Sequence, residues 1–140
     1  MTKDNNSIIV SIHPDFVDLI FEGIKTVELR RSMPRNLGKH ARMIIYATSP
    51  QKCVVGTATV EGIVEHSVEA LWKKTGKQSG ITYAYFKEYF KGCEVGYGIL
   101  ISSVTKFAKP IPLETLRRKI NFTPPQSYMY GSEEFMKALA

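Results

Sequence analysis

The stretch GIKTVELRRS, residues 23 to 32, decides how the first third of the chain is read. Gly23 follows the one-sided apolar spacing of Phe16, Val17, Leu19 and Ile20, where a glycine suits the left-handed turn that ends a helix. From Lys25 to Arg31 the pattern alternates as a strand, with Val27 and Leu29 on one side and Thr26, Glu28 and Arg30 on the other. Lys25 has the opposite parity and joins the charged face only if the chain bends after Gly23, which a glycine makes easy. An exposed Glu28–Arg30 bridge contributes only about 0–1 kcal/mol, a weak reason to give one strand face to charges. The arrangement points instead to a cleft for an anionic ligand.

Working outward, SIIVSIHP (residues 7–14) is β-branched, apolar and closed by a proline, which predicts a buried first strand. Pro14 then suits the first turn of a helix, where a missing N–H has no partner to lose. His13 sits at that junction; chain order places it at the same mouth as the motif strand, or it is simply a turn residue. SMPRNLGKH (32–40) reads as a loop, ARMIIYATSP (41–50) as strand three, and CVVGTATVEGIVEHS (53–67) as a long strand bent or bulged at Gly56 and Gly62. Ser67 caps a helix running through Trp72 to Thr75. Residues 82–90 carry Tyr85, Phe86, Tyr89 and Phe90 at helical spacing, read as a core stripe rather than a base-stacking platform. A further strand covers residues 95–107, followed by a short helix near LETLRRKI, then FTPPQSYMYG and a last helical turn or two around Glu133 to Leu139. Long, kinked strands of this kind tend to curl into a barrel.

The 140 residues, 44% of them hydrophobic, fit a single domain with one sizeable core. The longest apolar run, Met43 to Ala47, is far short of the roughly 20 residues that span a bilayer, and the polar start MTKDNNS lacks a secretory signal's apolar core. The expectation is a cytoplasmic protein with no membrane attachment. Cys53 and Cys93 read as reduced fillers, and neither pairs with His13, His40 or His66 at metal-ligand spacing, so neither a metal nor a cofactor is predicted. The formal charge is +6. Between Glu28 and Glu61 there is no acidic residue, while Arg30, Arg31, Arg35, Lys39, Arg42 and Lys52 all fall there. Such a concentration attracts phosphates over a Debye length of roughly 8 Å. Its plainer reading is a solvated loop.

Gly23, Lys25, Glu28 and Arg30 make the pattern G-x-K-x-x-E-x-R between a first helix and a second strand. With IIYATSP, VVGTATV and GYGILI following in order, the chain resembles the ASCH family of the PUA-like superfamily over about residues 8 to 107. The resemblance implies an α+β fold, a PUA-like mixed β-barrel with peripheral helices, and a cleft lined by the motif strand. PPQSY (124–128) looks like a C-terminal addition, in an extension beginning near residue 110; Ser127 and Tyr128 there are either a lid or a packing clamp.

The resemblance also implies dealings with RNA or nucleotides. The first expectation is a binding module that uses His13, Lys25, Glu28, Arg30, Arg31, Arg35, Lys39 and Arg42, with single-stranded or structured RNA favoured. The alternative is a small hydrolase, with Lys25 and Glu28 as its catalytic pair, acting on a modified nucleoside or cleaving RNA. In the amidohydrolase branch a threonine nucleophile lies three residues after the motif lysine; here that position holds Glu28, which weakens the deacylase reading. A third expectation is a protein-interaction domain whose basic loop meets an acidic partner.

Overall fold

Strand β1 (Lys3–Ile12) is buried on both faces from Ser7 to Ile12, so its apolar residues run almost without a break instead of alternating. It leads into α1 (Pro14–Phe21), β2 (Val27–Arg30), β3 (Arg42–Ala47), β4 (Cys53–Ser67), α2 (Val68–Thr75), a 3₁₀ turn at Gly76–Gln78, α3 (Tyr83–Tyr89), β5 (Val95–Pro112), α4 (Leu113–Ile120), β6 (Tyr128–Ser132) and α5 (Glu133–Ala138). This computed structural model describes residues 3–33, 37–38 and 40–139. Among them no helix is long and apolar enough to cross a membrane.

The strands form one six-stranded sheet in the order β2-β5-β4-β3-β1-β6. Only β1 and β3 are parallel; the other pairs are antiparallel. Three register shifts along β4 and β5 bend the sheet, two of them at the predicted glycines Gly56 and Gly62. At Gly56 the requirement is steric: a Cβ there would lie 2.3 Å from the Thr105 carbonyl oxygen.

One face of the sheet gathers Ile8, Val10, Ile12, Met43, Ile45 and Ile99 with Val17 and Ile20 of α1. The other gathers Ile9, Ile44, Tyr46 and Val54 under Leu113, Leu116, Phe122 and Phe135. The C-terminal segment therefore covers the second face of β1 and β3, and β6 pairs with β1. The sequence assigned no strand to FTPPQSYMYG: two prolines disguise an edge strand that tolerates them just before its start.

The expected barrel is corrected in one respect: the sheet curls but does not close. Strand β2 pairs with β5 alone and β6 with β1 alone, so both are edges. A side chain spans the gap. Arg30, the last residue of β2, donates from Nη2 to the Ser11 carbonyl of β1 (2.6 Å) and from Nη1 to Ser127 Oγ (3.2 Å), immediately before β6. A four-residue strand is too short to supply a ladder along the seam, and one guanidinium joins the two edges instead.

Candidate functional site

The bend after Gly23 occurs. Gly23 takes φ +80°, and the amides of Ile24 and Lys25 both donate to the Leu19 carbonyl, folding the chain back under α1. Lys25 thereby turns inward despite its parity. Its Nζ donates to the Ser79 carbonyl at 2.5 Å and lies 3.3 Å from Glu28 Oε1, while Glu28 Oε2 is 2.8 Å from Arg30 Nη2. The three residues are 3%, 5% and 8% exposed. They neutralise one another in part only, since two cations face one carboxylate and leave a formal +1.

Two atoms of this network are left over. Glu28 Oε1, although near Lys25, and Arg30 Nε have no hydrogen-bond partner among the described residues. Buried polar atoms are nearly always satisfied, so a leftover acceptor and a leftover donor in one cluster mark a place where water or a ligand completes the set.

The network is not sealed. It forms the floor of an open pocket of about 140 Å³, walled by His13, Phe16, Tyr85 and Tyr89. His13 caps α1: its Nδ1 accepts the Asp15 amide at 3.1 Å, which in the neutral ring puts the proton on Nε2. Lys25 Nζ also lies 5.3 Å from the Phe16 ring centre, and Arg31 covers the Tyr89 ring at 4.6 Å.

The structure thus brings His13, Lys25, Glu28 and Arg30 together, with Arg31 beside them on the Tyr89 wall. Arg42 is not brought there. It is exposed at the start of β3 and pairs with Ser7, four residues before Ser11 on β1, a separation of about 13 Å along the strand. Arg35 and Lys39 lie outside the described residues. Larger cavities exist, one of about 400 Å³ between Met33, Val60, Glu61, Glu65 and Tyr97. Its nearby carboxylates repel phosphate, so size is a poor guide here. Among the described residues no three His, Cys, Asp or Glu side chains gather as a metal site.

Sequence reasoning missed Ser11 and Ser79, which act through backbone carbonyls and leave no side-chain signature. It also missed Tyr85 and Tyr89 as pocket walls. The aromatic stripe divides: Phe86 and Phe90 are core, as expected, whereas Tyr85 is 48% exposed and Tyr89 half-buried. The signal was present in which rings carry a hydroxyl. Ser127, left open as lid or clamp, is a clamp on Arg30. Elsewhere, burial pushes the Tyr46 hydroxyl above its ordinary pKa, with Arg117 opposing the shift and Cys53 adding to it.

The ASCH domain model matches residues 10–114. An "ASCH domain-containing ribonuclease" from Zymomonas mobilis is 36% identical over 132 residues, 94% of this chain and 88% of that protein. The crystal structure of ASCH from that organism superposes with a TM-score of 0.90 at 35% identity, covering 97% of this chain and 94% of the other. A Ureaplasma parvum large ribosomal subunit protein uL22 is 28% identical over 77% of this chain, a match to only 34% of its own length. The N-terminal domain of Staphylothermus marinus McrB, at 13% identity and TM-score 0.59, shares the fold alone. A bent glycine junction that turns a lysine under the first helix, a motif strand carrying its glutamate and arginine, and these matches lead to one conclusion: the chain belongs to the ASCH domain family.

Proposed function

We propose that this ASCH domain binds an unpaired RNA strand at the Lys25–Glu28–Arg30 pocket and cleaves it. One observation carries the reading: a cluster with two cations and one carboxylate, more than nine-tenths buried, at the floor of a pocket open to solvent. An uncompensated positive charge at such a site is stabilised by an anion, and a phosphodiester supplies one. The pocket is smaller than the roughly 300 Å³ at which drug-sized sites begin. It therefore suits part of a polymer rather than a whole free nucleotide.

Cleavage is favoured by the related protein named a ribonuclease, which matches nearly the whole chain. Attack by a 2′-hydroxyl on its own phosphodiester needs a proton acceptor and cations that stabilise the charge developing on the phosphoryl oxygens. Glu28 Oε1, which makes no hydrogen bond but is ion-paired with Lys25, is the acceptor, and Lys25 and Arg30 are the cations. The leaving 5′-oxygen takes its proton from water, and His13, whose Nδ1 accepts the helix-cap amide, offers its Nε2–H as a hydrogen bond to a phosphoryl oxygen without giving the proton up.

The test is incubation of the pure protein with end-labelled single-stranded RNA, following binding and products. Affinity falling steeply with salt, and cleavage lost in Lys25→Met while the melt stays cooperative, is the expected result. Cleavage that survives that substitution removes the catalytic part, and absence of binding in low salt removes the whole reading.

A further inference from the structure

We propose that Tyr85 and Tyr89 form a platform on which one unpaired base of the RNA stacks, its edge turned toward Arg30 Nε. The inference rests on the RNA reading above and goes beyond it by placing a base on the exposed tyrosine wall, beside the phosphate held in the pocket.

Helix α3 sorts its aromatic residues by face. Phe86 and Phe90 point into the core beside Leu71, and Tyr85 and Tyr89, one turn apart, line the pocket. Their rings are nearly parallel, 13° between planes and 6.4 Å between centres. Tyr85 is held by Phe16 edge-on at 5.4 Å, and Tyr89 by Phe90 edge-on at 4.8 Å and by the Arg31 guanidinium. The rings are thus fixed in orientation while Tyr85 stays 48% exposed, a large apolar surface kept wet and pre-ordered. Stacking a base there uses a flat surface whose ordering is already complete.

The second observation is independent of the rings. A buried donor, Arg30 Nε, has no hydrogen-bond partner among the described residues, and Arg30 lines this same pocket. Each nucleobase carries hydrogen-bond donors or acceptors on its edge, and an unpaired strand leaves that edge free; in a duplex it is occupied by the partner base. The pairing of platform and polar floor therefore selects single strands.

The experiment compares the full chain with Tyr85→Ala and Tyr85→Phe on a single-stranded RNA containing 2-aminopurine, and on an abasic ribose-phosphate strand of equal length. Since Tyr85 is about half exposed and outside the core cluster, its truncation leaves the fold intact, checked by melting. Stacking predicts quenched 2-aminopurine fluorescence on binding, an affinity loss of about 5-fold or more in Tyr85→Ala, near-normal affinity in Tyr85→Phe, and no difference among the three on the abasic strand. Equal affinity of all three proteins for the base-bearing strand, with salt dependence intact, overturns the platform and leaves the phosphate pocket standing. No binding to either strand in low salt overturns both.

Discussion

Replacing Glu28 by Gln keeps the shape of the side chain and removes the one carboxylate between Lys25 and Arg30. The carboxylate oxygens are 3.3 Å and 2.8 Å from the two cationic nitrogens, in side chains 2% and 9% exposed. Taking one partner from a buried ionic cluster leaves charge without compensation, at about 3–5 kcal/mol. Because the cluster borders a solvent-open pocket, the lower end applies, about 3 kcal/mol. For a chain of this length that lowers the melting temperature by about 10 °C. The substitution also raises the cluster's formal charge from +1 to +2, so inorganic phosphate should restore stability to Glu28→Gln more than it adds to the parent. Sodium chloride at matched ionic strength should not. Thermal melts of both proteins with and without phosphate decide the matter. A Glu28→Gln protein that melts within about 2 °C of the parent and ignores phosphate refutes the account of the cluster as a buried, anion-seeking centre.

Arg30→Lys keeps the charge but loses the fork that holds the seam, so amide exchange in β6 should speed up about 10-fold by mass spectrometry while β3 and β4 are unchanged. Gly56→Ala forces a methyl into the Thr105 carbonyl and the Phe21 ring; urea denaturation should show a loss of about 3 kcal/mol, and a loss under 0.5 kcal/mol would mean the sheet bends differently there. For Tyr46 the folded pKa lies above the unfolded value of 10.0, so the unfolded chain ionises first as pH rises. Its contribution is complete below about pH 10 and is lost above it, and Tyr46→Phe should show a shallower alkaline decline in denaturation curves.

Much of the fold was legible because the local signals agreed with the final packing. The β4 range matches residue for residue, since its alternation is long and its bends carry glycines. Helix α2 begins where Ser67 caps it, and α1 where Pro14 allows it. What escaped was set by contacts distant in sequence. Strand β6 exists because β1 offers a free edge, and prolines before it argue locally for a loop. The open seam could not be read either: whether curled strands close depends on the length of β2 and on an arginine reaching 97 residues ahead to Ser127. At the site, the motif supplied Lys25, Glu28 and Arg30, and chain order supplied His13. Net charge misled in part, because density of cations along the chain does not say which face they occupy, and Arg42 falls elsewhere.

The most direct measurement is photo-crosslinking of a single-stranded RNA to the protein, with the attached residues mapped by mass spectrometry. The account predicts attachment on peptides containing His13, Arg31, Tyr85 and Tyr89, reduced by Lys25→Met. Attachment confined to the distant cavity beside Lys109 and Lys119, or to the carboxylate-lined one at Glu61 and Glu65, would contradict it.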